Sequence, residues 1–366
     1  MPVPANDFPR MWREVEAEAV AVFREVGAGG WYILGPSVRA FEQALARTWG
    51  LPYACGVASG LDALEIGLRA LGCGPGVRVL TTPLSAFATT LAILRLGAEP
   101  VFADIDEYGL IDLAACREAF ARTPDLRWFV PVHLYGHALD PAQLRALQQE
   151  TGCVMVEDCA QSIGTPSGLT GEAAATSFYP TKNLGALGDG GALLTRSEAV
   201  ASAARALRDY GQTAKYQHAH VGWNSRLDEL HAALLHRVFL PRLAGWTARR
   251  REIAAQYLAG IRNPAIRVPG APPGAVSSWH LFPVLVEDRA AFLAHLRAEE
   301  ITGGEHYPVA IPDQPVMQTV RWHAAGSLER ARAWCRAEVS LPIHPYLTDL
   351  ETSRVIEACN RYSPGA

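Results

Sequence analysis

The chain has 366 residues, of which 49% are hydrophobic and 19% charged, a globular rather than a disordered composition. The length suits one large domain joined to a smaller one. A formal net charge of −4 with no basic run argues against a nucleic-acid surface, and no stretch of about 18 apolar residues predicts a membrane span. The opening, MPVPANDFPRMW, has no basic segment leading into an apolar core, so no signal peptide is expected. Residues 8–26 mix charged and apolar groups at helical spacing until the glycines at 27, 29 and 30. An aromatic loop, Trp31 to Pro36, follows, and Ser37 is the expected cap of a helix from Val38 to Trp49. Ala54 to Ala58 reads as a strand running into Ser59-Gly60-Leu61-Asp62 and then a helix with Leu61, Leu64, Leu68 and Leu71 on one face. A small-residue turn at a helix N-terminus can hold a phosphate, since free N–H groups and the helix dipole both favour an anion. Alternation continues, with strands at Val79–Thr82, Pro100–Ala103, Trp128–Val132 and Cys153–Val156 and helices at Phe87–Leu96 and Pro141–Glu150. That rhythm implies a largely parallel sheet with helices on both faces and ligands beyond the carboxyl ends of the strands, where Asp158 would stand. As a bare pattern, Asp158 has a lesser alternative as a helix cap or a loop carboxylate. Seven scattered cysteines without a Cys-x-x-Cys pair read as reduced thiols in the cytoplasm.

The stretch Thr176–Thr195, TSFYPTKNLGALGDGGALLT, reads as a strand, a tight loop and a second strand. Its Lys182 is one of only two lysines among 33 basic residues, the other being Lys215 in a polar loop. Arginine stays charged and cannot act as an amine nucleophile, whereas lysine can be neutralised by its surroundings and form a Schiff base. Lys182 is therefore the candidate nucleophile, and Lys215 reads as a substrate contact or a solvated residue. Beyond it, residues 201–260 read as long helices interrupted at Asp209–Asn224, and Asn263–Ala275 is a Pro/Gly-rich separator. A strand at Trp279–Val286 and helices at Arg289–Ala298 and Arg330–Val339 complete a second domain, giving expected domains of 1–245 and 246–366. His133 and His137 stand at i, i+4, but a glycine and an expected turn separate them and no carboxylate cluster joins in, so no metal site is expected.

The segments GWYILGPSVRAFE, ASGLDAL, HLYGH, VEDCAQSIG, SFYPTKNLGALGDGGALLT, GWNSRLDELHAALL, HYPV and SLPIHPYLT occur in the order found in the DegT/DnrJ/EryC1/StrS sugar aminotransferases. The chain resembles that family from about Trp31 to Pro345. The resemblance implies an α/β fold of the type I aminotransferases, a large domain with a mostly parallel sheet and a smaller C-terminal α/β domain. It implies pyridoxal 5'-phosphate, alternating with its pyridoxamine form, as cofactor. On this resemblance Lys182 forms the Schiff base and Asp158 pairs with the pyridine nitrogen, while Gln161 lies at the ring. Phe87 stacks on it, and Gly60, Leu61 and Ser177 hold the phosphate. Leu61 replaces a threonine usual in the family, which keeps an N–H but removes a hydroxyl. Asn224 matches a residue the family supplies from a neighbouring subunit, so a homodimer with shared sites is implied. Tyr32, Lys215, His218, His306 and Tyr307 are the candidate substrate contacts. The segment from Gly164 to Ser177 is shorter than is usual.

The expected reaction is transfer of an amino group, with glutamate as donor, to a nucleotide-linked keto-sugar. The loop Tyr210–Arg226, YGQTAKYQHAHVGWNSR, resembles the branch acting on 3-keto sugars, dTDP- or UDP-linked. A 4-keto-sugar or keto-cyclitol transaminase is the alternative, and a regulatory or scaffold protein on the same fold is the non-enzymatic one. A dehydratase of the same family would carry histidine where Lys182 stands.

Overall fold

A computed structural model describes residues 2–364. The helices in chain order are α1 (Phe8–Gly29), α2 (Pro36–Trp49), α3 (Gly60–Ala70), α4 (Phe87–Arg95), α5 (Leu113–Arg122) and α6 (Pro141–Thr151). They continue with α7 (Glu198–Leu207), α8 (Glu229–Leu234), α9 (Leu243–Gly260), α10 (Arg289–Ala298), α11 (Glu329–Ala337) and α12 (Asp349–Arg361). The strands are β1 (Tyr53–Val57), β2 (Arg78–Thr81), β3 (Glu99–Phe102), β4 (Trp128–Val130), β5 (Val154–Asp158), β6 (Ala173–Ser177) and β7 (Gly191–Thr195). After them come β8 (Gln212–Ala214), β9 (Gln217–His218), β10 (Ile266–Arg267), β11 (Phe282–Val286), β12 (His323–Ala324) and β13 (Glu338–Leu341).

Eight strands form the main sheet in the order β1-β7-β6-β5-β4-β2-β3-β12. All run parallel except β7, which is antiparallel to both β1 and β6. The parallel strands therefore point their carboxyl ends at one edge, and the segments leaving β1, β2, β4, β5 and β6 meet there. Strand interiors are buried on both faces and apolar, as a sheet covered on both sides requires. One layer packs Leu64, Leu68, Ile93 and Ala204 on one face, and another packs Leu113, Phe120, Leu144 and Leu147 on the other.

A second core surrounds the antiparallel sheet β10-β11-β13 and includes Ile253, Tyr257, Phe282, Phe292 and Val355. The chain passes between the two cores more than once. Val3 bridges to Ile301 within the second core, while β12 adds a parallel strand to β3 at the edge of the main sheet.

Two local expectations change. The helix α2 starts at Pro36, not after Ser37, because proline at the first helical position brings a helical φ and has no N–H to satisfy. Its free N–H groups are capped from far along the chain: the buried Glu229 carboxylate accepts from Gly35, Ser37 and Val38 at 2.7, 2.7 and 2.9 Å. The helix expected to reach Val339 stops at Ala337, and Glu338 and Val339 join β13 opposite Leu285 and Val284. Pairing with β11 overrides the helical pattern there.

Candidate active site

The loop between β6 and β7 is closed at its base, where the Phe178 N–H donates to Gly190 O and the Ala186 N–H donates to Phe178 O, both at 2.7 Å. A turn formed by the Lys182 N–H on Tyr179 O, 2.8 Å, then lifts the lysine to the carboxyl edge of the sheet. Lys182 is half-buried. Burial lowers its pKa from 10.5 to about 8, with the nearby Asp158 charge pulling the other way. Lys215 lies instead at the exposed tip of the β8–β9 hairpin, its ammonium 5.4 Å from the Tyr216 ring centre.

Asp158 ends β5 and is buried. Its carboxylate accepts from Thr89 Oγ1 at 2.8 Å and from the Ala160 N–H at 3.0 Å, and Ser85 Oγ lies 3.1 Å from the Thr89 hydroxyl. Thr89, in the first turn of α4, is a site residue that pattern reading misses. Its signal is the hydroxyl-rich run TTPLSAFATT, which a strand-to-helix connection does not need. Phe87 opens the same helix and is partly buried, packed against the cluster of Phe102, Ile311, Met317 and Leu328. Gln161 is held between two tyrosines: its Oε1 accepts the Tyr135 N–H at 2.6 Å, and its Nε2 donates to Tyr307 Oη at 3.2 Å.

The α3 N-terminus brings Gly60 against Ser177. A Cβ on Gly60 would stand 2.7 Å from the Ser177 Cβ, so the turn can sit this close only with glycine. Ser59 caps the helix by accepting from the Asp62 N–H at 3.1 Å, and Leu61 packs on the core below. A helix N-terminus beside a serine hydroxyl suits a phosphate. A buried carboxylate on Asp158 whose oxygens each accept one bond and can accept another, an amine of lowered pKa and this anion cradle together fit pyridoxal phosphate.

A cavity of about 230 Å3 opens beside Lys182, lined by Asn6, Tyr179, His280, His306, Tyr307 and Ser340 among others. His306 is joined to Tyr307 by a cis peptide. Burial, with Lys182 as the second cause, lowers its pKa to about 4, so the ring is neutral. Burial likewise pushes Tyr307 well above the usual phenol value, with the Asp158 charge adding to it. Tyr135 Oη donates to His306 O at 2.7 Å, which ties the tyrosine under Gln161 to this loop.

Four expected site residues lie outside this cluster. Tyr32 is exposed, with its hydroxyl on Gly27 O at 3.2 Å, and His218 is exposed, with its Nδ1 3.1 Å from Tyr210 O. Lys215 and Asn224 are exposed as well. Asn224 is nonetheless fixed to the phosphate-type helix through its neighbour: Ser225 Oγ donates to Asp62 at 2.7 Å and accepts from the Ala58 N–H at 3.0 Å.

His133, Glu157 and Cys159 lie close enough to suggest a metal cluster. His133 and Glu157 are both engaged in hydrogen bonds. The Leu139 N–H donates to His133 Nδ1, leaving Nε2–H to donate to Glu157 at 2.8 Å. Glu157 also accepts from the N–H groups of Gly168, Thr170 and Gly171 at 2.7–2.9 Å, which folds the short 164–177 segment into a compact turn. His137 faces Ser277 instead, at 2.8 Å. Among the described residues no helix is long and apolar enough to cross a membrane.

The family model of the DegT/DnrJ/EryC1/StrS aminotransferases matches residues 13–360. A dTDP-3-amino-3,4,6-trideoxy-alpha-D-glucose transaminase of Streptomyces venezuelae is 40% identical over 99% of this chain and 96% of its own. The erythromycin biosynthesis sensory transduction protein EryC1 of Saccharopolyspora erythraea is 39% identical over 97% of this chain and 98% of its own. The crystal structure of S. venezuelae DesV in complex with a ketimine intermediate superposes with a TM-score of 0.93 at 40% identity, covering 98% of each chain.

Proposed function

Because the chain belongs to the DegT/DnrJ/EryC1/StrS aminotransferase family and is a pyridoxal-phosphate-dependent aminotransferase, we propose that it aminates carbon 3 of a nucleotide-linked 3-keto sugar. Glutamate is the proposed donor. The observation that carries this reading is the Lys182 cavity walled by His306 and Tyr307, in a chain whose 40%-identical relative is named for a dTDP-3-amino sugar. Lys182, Asp158, Gln161, Ser177, Gly60 and Leu61 would hold the cofactor. Pyridoxal phosphate supplies an electron sink that makes the carbon bearing nitrogen acidic. Lys182 Nζ is the base that would take up that proton and give it back later in the transfer. For that it must be unprotonated when free. A pKa of about 8 leaves about a quarter of it neutral at pH 7.5, against about 0.1% for an ordinary lysine. Thr89 and the Ala160 N–H orient the Asp158 carboxylate, and Tyr135 and Tyr307 orient the Gln161 amide.

A cavity of about 230 Å3 is smaller than the roughly 300–1,000 Å3 of sites that enclose drug-sized ligands. It accommodates the reacting ring while the nucleotide and diphosphate lie outside. The exposed Lys215, His218 and Asn224 are then proposed to serve the site of a second copy, with Lys215 on the diphosphate. Moving the ketone by one carbon requires the whole sugar to turn before the carbonyl meets the amine, so contacts on the diphosphate select the position. Incubation with glutamate and matched 3-keto and 4-keto nucleotide sugars, followed by NMR location of the amine, tests this. Amination at carbon 3 is expected, and preferential amination at carbon 4 would overturn the positional reading.

A further inference from the structure

Behind the Lys182 cavity three polar side chains stand in line. Glu338 and Ser340 are two apart on β13, so their side chains share one face of the strand. Gly304 pairs with Ser340 through two backbone bonds, 2.9 and 2.8 Å, which sets the following loop over that face. Glu338 is fully buried, and its Oε2 accepts the His306 N–H at 2.6 Å. Its Oε1 is bonded to the Ser340 hydroxyl, and the Ser340 oxygen lies 2.9 Å from His306 Nδ1. The other ring nitrogen, His306 Nε2, makes no hydrogen bond among the described residues, and the ring lines the cavity with Lys182.

A hydroxyl donates one hydrogen bond and accepts others, so Ser340 transmits direction along this line. An ionised Glu338 can only accept. Ser340 must then donate to it and accept from His306, which puts the imidazole proton on Nδ1 and leaves a lone pair on Nε2. A protonated Glu338 reverses both bonds: its O–H donates to Ser340, Ser340 donates to Nδ1, and Nε2 carries the proton. We propose that Glu338, acting through Ser340, sets the tautomer of His306, so that Nε2 offers the cavity an acceptor when Glu338 is ionised and a donor when it is protonated. Glu338 and Ser340 are positioning residues, and His306 is the group a ligand meets.

The charges around the line keep this device near neutral pH. Burial raises Glu338 to about 7, opposed by the bonds from Ser340 and the His306 N–H and by Arg289, with Glu305 adding to the rise. Arg289 is itself paired with Glu305 at 2.9 Å and donates to Cys335 O. The other titratable neighbours, Tyr135, Tyr307 and Cys335, are all raised by burial and stay neutral across this range. His306 is held near 4 by burial and Lys182, so it does not titrate in the same window. For a ligand the consequence follows from hydrogen-bond capacity. A keto oxygen or a donor carboxylate can only accept, and the Nε2–H form serves it. A free ammonium or a hydroxyl proton is served by the other form. This last step rests on the sugar-transaminase reading, while the tautomer itself does not.

The test uses the full-length holoenzyme labelled with 15N-histidine, with His306 assigned by loss of its signals in H306N. In the parent, the Nδ1–H signature above neutrality should give way to the Nε2–H signature as pH falls through about 7. E338Q keeps an oxygen for the His306 N–H and turns its amide N–H toward Ser340, so it should show the Nε2–H form at every pH. S340A breaks the line and should abolish the crossover, and it serves alone if E338Q does not fold. In steady state, the KM for the amino donor should lose its pH dependence around 7 in E338Q, whereas a merely structural role would lower kcat without changing that profile. A His306 tautomer constant from pH 6 to 9 in the parent, or an E338Q profile that follows the parent, would overturn the proposal. These spectra need no substrate, so they stand apart from failure of the 3-keto assignment.

Discussion

Lys182→Met replaces the amine proposed as the active-site base by an apolar side chain of similar length. The lysine is held at about 8 against an ordinary 10.5, burial being the main cause and Asp158 opposing it. At about 1.4 kcal/mol per pH unit, that gap is worth about 3 kcal/mol against the folded state. The sign follows from proton counting. Below pH 8 the amine is protonated in both folded and unfolded chains, and the full penalty applies. Between 8 and 10.5 the unfolded chain binds the proton and the folded chain does not, so stability attributable to this group rises with pH. Above 10.5 both are neutral and the penalty is gone. Cofactor-free Lys182→Met should therefore be more stable than the parent by up to about 3 kcal/mol at pH 7.5, and the difference should shrink toward pH 10.5. Urea denaturation of both proteins across that range measures it. A difference that is absent at pH 7.5, or that is the same at both ends, would refute the view that burial depresses this amine. The same variant should be inactive, and that divergence of stability from activity is what a functional lysine held in a half-buried place implies.

Glu157→Ala removes the common acceptor of His133 and three backbone N–H groups. Stranding those buried donors should cost at least about 1–3 kcal/mol, read as a lowered denaturation midpoint; a loss under about 1 kcal/mol would show that the 164–171 turn stands without it. If the active unit is the proposed dimer with shared sites, mixing Lys182→Ala with Asn224→Ala chains under subunit exchange should restore part of the activity that each lacks alone, because one site of the mixed dimer keeps both residues. Exchange demonstrated by mass spectrometry without recovery would place Asn224 in its own chain's site or outside any site.

The residues legible in the sequence are those whose chemistry or backbone need is unusual for their surroundings. Lys182 stands out in a chain that otherwise meets its need for positive charge with arginine. Asp158 ends an apolar strand run, and Gly60 sits where a strand becomes a helix. Thr89 was hidden because a threonine in an apolar helix start looks like packing, and only the fold brings it 2.8 Å from Asp158. Phe87, at the start of the same helix, is only partly buried and packs against the cluster of Phe102, Ile311, Met317 and Leu328. Periodicity says that a side chain is apolar and on which face it lies, but not which of two apolar neighbours it meets.

What the sequence could not disclose is the work of carboxylates that act over long separations. Glu229 caps the start of α2, 191 to 194 residues away in sequence. Glu157 gathers the turn at 168–171, and Glu338 receives the His306 N–H across 32 residues. Each sits in a helical or strand run where a glutamate reads as a solvated face, and each is at most 1% exposed. A carboxylate has about four acceptor positions, so one buried glutamate can satisfy several N–H groups that irregular backbone leaves open. Loops that must hold a cofactor or a substrate cannot satisfy those groups with regular ladders. Burying an acid beneath each loop solves that problem, and the same burial raises the acid's pKa unless the donors outnumber the loss of water. Glu157, with four donors, is held below its ordinary value; Glu338, with two, is raised to about 7. The number of donors thus separates a carboxylate that only clamps from one that can also change its proton beside the Lys182 cavity.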